Sequence, residues 1–419
     1  MRAGELRRAG VAVLCASAVL GAPLVGGPPA HAATASAAPP SLSVRAAILI
    51  DEDTGNELYG VAPNHTLAIA STTKLMTALI TLEHARLSRV FTEPNFYFPP
   101  IDSQLGLTPG ERMSVHDLLI ALLLPSADDA AEDLAYNVGG RSVARFVGMM
   151  NARARQLGLR HTHYSTPTGL SSSDRSSAGD LVKLAAYVLR TQPFFARVVA
   201  LPHAVLSTGN HRRLVTNRND LVGRYSWVRG VKTGHTSLAG YVLVGLGERH
   251  NMRLLSAVMG TASEISRDDN TLALLDYGFS HFRRFMPITR NEVIARPTVK
   301  DSPGKHAVVV AARAFEQVLP RDARVRVVVK VPSQLAGPLA WHAVVGSATV
   351  IASGRTLARI PLLLAHRLPA VSPLTVAARF MTRTSTLLML AFVCILAISV
   401  IARRRLRMRH AGQEGAEPA

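Results

Sequence analysis

A serine and a lysine stand three residues apart in residues 69–77, IASTTKLMT. If a helix begins at Ser71, then Ser71 and Lys74 lie on one face of it, one turn apart. A serine hydroxyl becomes a good nucleophile only when a base takes its proton. Lysine can be that base when neutral, whereas arginine cannot be deprotonated in a protein. The pair therefore predicts nucleophilic catalysis by Ser71, with Lys74 as general base.

Lysine is scarce in this chain, so each one is informative. Only six of the 47 basic residues are lysines, and two of the three in the first predicted domain, Lys74 and Lys232, stand in chemically suggestive motifs. A helix N-terminus disfavours a cation and would push Lys74 toward its neutral form. The S-x-x-K pattern is short, however, and taken alone it also describes an ordinary helix start with a surface lysine. The prediction therefore needs partner motifs.

Two partner motifs follow in the chain. The segment LLPSADDAAEDLA places Ser126 and Asp128 where a loop meets a predicted helix, and RGVKTGHTS places Lys232, Thr233 and Gly234 on a predicted strand. A lysine offers positive charge and a threonine a hydroxyl to a substrate carboxylate, and a glycine allows a substrate backbone to approach the strand. These motifs predict a site for a substrate that ends in a carboxylate.

The three motifs, in this order, resemble the penicillin-recognising serine enzymes, in particular the low-molecular-mass penicillin-binding proteins that are D-alanyl-D-alanine carboxypeptidases. The resemblance covers roughly residues 46–280 and includes ILIDEDTGNELY, TPTGL, TNRNDL and VKTGHTSLAGYVLVG. It implies that the enzyme removes the terminal D-alanine from peptidoglycan stem pentapeptides through an acyl-enzyme on Ser71. It also implies inhibition by β-lactams and no cofactor.

The resemblance assigns roles to individual residues. Ser126 would relay a proton toward the leaving group, and the backbone N–H groups of Ser71 and His235 would form the oxyanion hole. Arg218 would assist in binding the carboxylate, although in a chain with this many arginines a solvated surface role is an equal alternative. The implied substrate-binding residues are Asp128, Arg218, Lys232, Thr233, Gly234 and His235.

Two other functions remain open. A class A β-lactamase shares these motifs but deacylates with a glutamate-activated water, and the sequence has no glutamate between Glu132 and Glu248. A catalytically weak relative that binds peptidoglycan or β-lactams is favoured by Asp128, which stands where the family pattern has asparagine. Asp128 could turn toward Lys74, or it could turn outward as a helix cap.

The elements that would position these residues indicate an α+β fold. A hairpin within residues 46–61 and strands after residue 228 flank a helical middle, which predicts one sheet completed by both ends of the segment. We expect a β-lactamase/transpeptidase-like catalytic domain at residues 42–284. The Pro- and Gly-punctuated apolar runs that follow predict a small all-β domain at residues 285–372.

Both chain ends indicate export and membrane anchoring. Residues 1–32 have arginines, an apolar stretch and the cleavage-site triplet of a signal peptide. Residues 384–402 are uncharged and precede RRRLRMR, which predicts a transmembrane helix, a cytoplasmic tail at residues 403–419 and an extracytoplasmic catalytic domain. The two cysteines, Cys15 and Cys394, lie in these end segments, so the exported part lacks a thiol nucleophile and a disulfide.

The net charge of +19 fits an anionic wall or lipid surface. Nucleic acid is the other common partner of a basic chain, but export argues against it. His161 and His163 could bind a metal from adjacent positions, but two histidines without a third ligand are more often ordinary loop residues. The sequence predicts no metal.

Overall fold

The computed structural model describes residues 39–94, 96, 99, 103–302, 304–370, 373–382 and 384–411. The predicted signal peptide, residues 1–32, and residues 412–419 of the predicted cytoplasmic tail lie outside the described residues. Three parts follow one another along the described chain. They are an α+β part up to about residue 281, a β-rich part up to about residue 370, and two C-terminal helices.

One antiparallel sheet forms the centre of the α+β part. Its five strands lie in the order β2-β1-β11-β10-β9, so both ends of the segment contribute to one sheet and the predicted fold class is confirmed. β9, which carries the K-T-G motif, lies at one edge of this sheet. The strands of this part are β1 Ala46–Asp51, β2 Glu57–Val61, β3 Leu67–Ala68, β4 Val90–Thr92, β5 Arg112–Ser114, β6 Arg175–Ser176, β7 His203–Leu206, β8 Arg213–Thr216, β9 Val228–Thr236, β10 Gly240–Arg249 and β11 Met252–Thr261.

Strand β1 is buried on both faces because helices cover the sheet on both sides. Successive side chains of a strand point to opposite faces. Ile48 and Ile50 pack into the larger core, which the helical middle of the chain completes. Ala47 and Leu49 pack into a second core against the helix Glu264–His281. Alternate residues of β1 therefore contact the helical layers on the two sides of the sheet.

Helices before and after the sheet strands cover it. Serines cap several of them: Ser114, Ser142, Ser177 and Ser263 each accept the backbone N–H three residues ahead. The last helix of this part begins at Glu264, directly after the Ser263 cap. The helices are α1 Lys74–His84, α2 Val115–Leu123, α3 Asp128–Val138, α4 Val143–Gln156, α5 Ala178–Thr191, α6 Pro193–Val199, the single turn α7 Leu221–Arg224, and α8 Glu264–His281.

The β-rich part contains a second five-stranded sheet, in the order β13-β15-β20-β19-β17, with its own core around Val309, Val350 and Leu362. The pairs β12–β16 and β14–β18 form two further, two-stranded sheets of this part. The predicted domain boundaries at residues 285 and 372 stay a prediction. The strands are β12 Phe282–Ile288, β13 Val293–Ala295, β14 Thr298–Val299, β15 Val309–Ala311, β16 Phe315–Pro320, β17 Val325–Lys330, β18 Gln334–Leu335, β19 Val344–Ala352 and β20 Arg355–Leu364.

Two helices end the described chain, α9 Pro373–Thr382 and α10 Thr384–Ala411. Among the described residues, the stretch Thr384–Met408 of α10 is the one helical segment long and apolar enough to cross a bilayer, and an 18-residue window within it has a mean hydropathy of 2.6. It contains the predicted span at residues 384–402. The helix is thus compatible with a membrane anchor at this end of the chain.

Candidate active site

The turn that carries Ser71 is a short 3-10 helix, Ala70–Thr73, and α1 begins only at Lys74. Ser71 therefore lies in a 3-10 turn that leads directly into α1, and the expected proximity of Ser71 and Lys74 holds. A 3-10 helix has three residues per turn, so side chains three apart are directly aligned. The Lys74 Nζ lies 2.9 Å from the Ser71 Oγ.

Lys74 is fully buried, and its ammonium group has an acceptor for each of its three protons. Its Nζ donates to the Ser71 Oγ at 2.9 Å, to the Asp128 Oδ1 at 2.6 Å and to the Thr168 carbonyl oxygen at 3.0 Å. This geometry suits the protonated lysine. Lys74 must lose one of these protons before it can accept the proton of Ser71.

Burial lowers the pKa of Lys74, because the charged form loses its hydration. The Asp128 carboxylate opposes this by charge attraction and a hydrogen bond, and the Arg218 cation adds to the lowering. The pKa of Lys74 lies below its ordinary value of 10.5 as a result. The sequence analysis attributed a lowered pKa of Lys74 to the helix N-terminus. Burial is the largest cause in the structure, so the helix dipole is not needed to explain why the pKa is lowered.

Asp128 is the first residue of α3 and turns inward. Ala127 precedes it as the N-cap without a side-chain hydrogen bond to the helix, so Asp128 does not act as the outward cap that the sequence left open. Its side chain is 2% exposed, its Oδ1 accepts from Lys74, and its Oδ2 accepts the Ser103 backbone N–H at 3.2 Å. A carboxylate thus contacts the predicted general base directly.

The neighbouring carboxylate, Asp129, has a structural role. It accepts the backbone N–H groups of Leu105, Gly106 and Leu107 at distances of 2.8–3.0 Å. The Asp128 N–H also donates to the Ser103 carbonyl oxygen at 2.7 Å. These bonds hold residues 103–107 against the start of α3.

Ser126 lies in the same turn, with a positive φ of 67°. Its side chain is buried, and the structure provides its Oγ with no hydrogen-bond partner among the described residues. Leaving a buried hydroxyl unpaired carries a cost. A substrate group bound beside Ser71 could give this hydroxyl its partner.

β9 brings the K-T-G motif to the turn that carries the predicted nucleophile, Ser71. Lys232 is buried, and burial together with the nearby Lys74 and Arg218 cations lowers its pKa well below the ordinary value of 10.5. A Cβ on Gly234 would lie 3.0 Å from the Ile69 carbonyl oxygen and 3.1 Å from the Ser71 nitrogen. A side chain at this position would therefore crowd the backbone of the turn that carries Ser71, whereas the sequence analysis explained the glycine by substrate approach.

Most of the predicted site residues line one open cleft of about 700 Å³. Lys74 and Lys232 lie buried behind its wall. The exposed Arg218 lines it while its Nε donates to the Pro125 carbonyl oxygen at 2.8 Å, and His235 stacks on Tyr241 with ring centroids 4.0 Å apart. The predicted residues that line the cleft are Ser71, Ser126, Asp128, Arg218, Thr233, Gly234 and His235.

The loop containing TPTGL contributes contacts that the sequence analysis did not assign. Gly169 has a φ of 89°, and a Cβ there would lie 2.0 Å from the Ala70 carbonyl oxygen. Buried Asp174 accepts the backbone N–H groups of Ser165 and Thr166 at 2.6 and 3.0 Å. The loop is thus fixed against the 3-10 turn Ala70–Thr73, where it presents the Thr168 carbonyl to Lys74.

Glu132 is a second residue that sequence reasoning missed. It follows Asp128 by one turn of α3, and this i, i+4 spacing was the available signal. Burial and the negative charges of Asp128 and Asp174 raise its pKa to about 7, against the opposing effect of Lys74. More than one carboxyl group therefore acts on the charge of Lys74, and Glu132 is the less buried of the two.

The arrangement can activate a hydroxyl and bind a carboxylate in one cleft. A hydroxyl within hydrogen-bond distance of a buried lysine is the pattern of an activated serine nucleophile. The edge of β9 can receive an extended peptide as an additional strand, and the K-T-G residues lie beside that path. These features together suit acyl transfer on a short peptide that ends in a carboxylate.

Comparison with known proteins agrees with this chemistry. The family model described as D-alanyl-D-alanine carboxypeptidase matches residues 33–263. The D-alanyl-D-alanine carboxypeptidase DacF of Bacillus subtilis is 28% identical over 76% of this chain and 84% of its own length. DacB2 of Mycobacterium tuberculosis, named for the same activity, is 35% identical over 56% of this chain and 81% of its own length.

A solved structure shows the same fold. Penicillin binding protein 5 from Haemophilus influenzae superposes with a TM-score of 0.64 and 27% identity, covering 80% of this chain and 99% of that one. The match therefore extends well beyond the segment containing the three motifs and includes part of the β-rich region.

Proposed function

The chain belongs to the D-alanyl-D-alanine carboxypeptidase family and is a serine DD-carboxypeptidase of the penicillin-binding type, and from this premise we propose how its own residues act. Ser71 is the nucleophile and Lys74 its base. The observation that carries this assignment is the fully buried Lys74 Nζ, 2.9 Å from the Ser71 Oγ.

Acylation begins when neutral Lys74 takes the Ser71 proton. The Ser71 Oγ then attacks the carbonyl carbon of the penultimate D-alanine, and the backbone N–H groups of Ser71 and His235 bind the oxygen that becomes negative. The amide bond breaks, the leaving nitrogen receives a proton through the Ser126 hydroxyl, and D-alanine departs. Water then hydrolyses the Ser71 ester and restores the enzyme.

The substrate carboxylate lies at the K-T-G end of the cleft. Thr233 lines the cleft and offers its hydroxyl, and the exposed Arg218 lines the same cleft. Lys232 acts from behind the wall, because it is buried. Its contribution is the positive potential that it adds when protonated.

β-Lactams present a similar carbonyl and carboxylate, and they acylate Ser71. The ester persists because no glutamate between Glu132 and Glu248 can activate the deacylating water as in a class A β-lactamase. Slow turnover of a chromogenic cephalosporin is the expected result, whereas rapid multiple turnover would contradict this part of the proposal.

The membrane holds the enzyme by α10, with the cleft on the outer side and the arginine-rich end at the cytoplasmic side. The apolar stretch Thr384–Met408 supports the anchor, and the cluster RRRLRMR supports the orientation. The substrates are then peptidoglycan stem peptides that end in D-Ala-D-Ala.

Incubation with a peptide ending in D-Ala-D-Ala tests the proposed residues. Free D-alanine should appear with the native chain and be absent with Ser71→Ala. Ser173→Ala is a matched control, because Ser173 lies in an exposed turn outside the cleft residues. Release of D-alanine by Ser71→Ala at the native rate would overturn the assignment.

A further inference from the structure

An exposed tryptophan marks one end of the β-rich part. Trp341 is 64% exposed, and its ring stacks on the His342 ring with centroids 3.7 Å apart. Val344, the first residue of β19, is 67% exposed next to it. Large apolar side chains grouped at a surface mark a contact with another molecule or a membrane more often than scattered ones do.

This end of the β-rich part is also where the chain leaves for α10. Leu339 and Leu368 exchange two backbone hydrogen bonds of 3.0 and 2.9 Å, and the His342 N–H donates to the Leu364 carbonyl oxygen at 3.1 Å. After Leu368 the chain continues through α9 into α10, which starts at Thr384. The Trp341 loop is thus hydrogen-bonded to the segment that leads into the apolar helix.

The surrounding sequence is basic. No aspartate or glutamate occurs between Asp322 and Glu414, while this stretch contains many arginines and one lysine, Lys330. Lys330 pairs with Ser347 at the same end of the sheet as Val344, and Arg367 is exposed in the segment that leads to α9. Such a surface complements the negative potential of anionic phospholipids.

We propose that Trp341, Lys330 and Arg367 form a membrane-contact surface that rests in the anionic headgroup layer of the bilayer holding α10. The proposal depends on the membrane anchoring proposed above. The indole ring is amphipathic and favours the headgroup level, and the two cations bind lipid phosphates. The anchor and this surface then hold the β-rich part at two points, which restricts its orientation on the membrane.

Tryptophan fluorescence can test this surface, because the chain contains only two tryptophans. Trp227→Phe leaves Trp341 as the sole emitter. Trp341→Phe is the matched control and leaves Trp227, which contacts the Arg249 guanidinium and the Phe279 ring in the α+β part. Each full chain is reconstituted into vesicles of phosphatidylglycerol and phosphatidylcholine whose acyl chains are brominated close to the headgroup, and flotation measures insertion.

Brominated lipid should quench most of the Trp341 emission and little of the Trp227 emission. Substituting glutamine at Lys330 and Arg367 in the Trp227→Phe chain should reduce this quenching. A chain that floats with the vesicles but shows unquenched Trp341 would overturn the membrane-contact surface alone. A chain that does not float would overturn the anchoring as well.

Discussion

Replacing Asp128 with asparagine should speed the acylation of Ser71 at neutral pH. The Lys74 Nζ lies 2.6 Å from the Asp128 Oδ1, and the two side chains are 0% and 2% exposed. Asparagine keeps an oxygen that can accept from Lys74, but it removes the negative charge that favours the protonated lysine. It also supplies an amide N–H₂ that can donate to the substrate.

The size of the effect follows from this contact. An opposite charge at contact distance favours the protonated base by about 1.4–4 kcal/mol, or roughly 10- to 1000-fold in the proton equilibrium. Burial and the Arg218 cation already lower the pKa of Lys74 in the native enzyme. The native enzyme therefore already contains some neutral Lys74, and the substitution raises this fraction by less than the full range. We therefore expect an acylation rate about tenfold higher at pH 7, which is the lower limit of the 10- to 1000-fold range.

The second-order acylation rate with a fluorescent penicillin, measured from pH 6 to 10, provides the assay. Its pH dependence reports the ionisation of the free enzyme. The native rate should rise with pH as Lys74 loses its proton, and the Asp128→Asn profile should reach its plateau at lower pH. Glu132, with a pKa of about 7, titrates in the same range and should add a second inflection to the native profile.

Asp129→Asn is the matched control, because Asp129 lies in the same first turn of α3 but binds the loop at residues 105–107. It should change the profile much less. A rate that falls at every pH in Asp128→Asn would refute the reasoning, because Asp128 would then be a working member of the site that positions Lys74 or takes its proton.

Four further substitutions follow from the structure. Lys74→Arg should abolish acylation measured with labelled penicillin, since arginine cannot give up its proton, while Lys232→Arg should retain more because that role is electrostatic. Gly169→Ala should lower both the melting temperature and the acylation rate, because its Cβ would lie 2.0 Å from the Ala70 carbonyl oxygen. Glu111→Gln should destabilise the fold by about 3 kcal/mol at pH 7. Burial opposes ionisation of Glu111, but Arg213 and backbone N–H groups lower its pKa from 4.5 to about 2, so denaturation midpoints of the two chains should converge as pH falls through that range. Equal midpoints at pH 7 would contradict this reading.

Much of the fold could be predicted because the patterns are local. The hairpin within residues 46–61 and the apolar strands after residue 228 carry strand signals, and the serine-capped helices carry helix signals. The start of α8 could not be predicted well. Residues 264–270 are polar, and their helix depends on the Ser263 cap and on packing against the sheet.

The candidate site, too, could be predicted only in part from the sequence. Ser71, Lys74 and the K-T-G motif stand in short patterns, so the sequence was enough to select them. The contact of Lys74 with the Thr168 carbonyl joins residues 94 apart, and no local pattern shows it. The orientation of Asp128 depends on the buried lysine it meets, so both orientations remained open until the structure placed Lys74 beside it.

Intact-mass analysis after penicillin treatment tests the central claim most directly. The native chain should gain the mass of one penicilloyl group, and peptide mapping should place that group on Ser71. The Ser71→Ala chain should gain none, while Ser173→Ala should behave as the native chain does. A single adduct that persists in Ser71→Ala would contradict the account, because the nucleophile would then be a different residue.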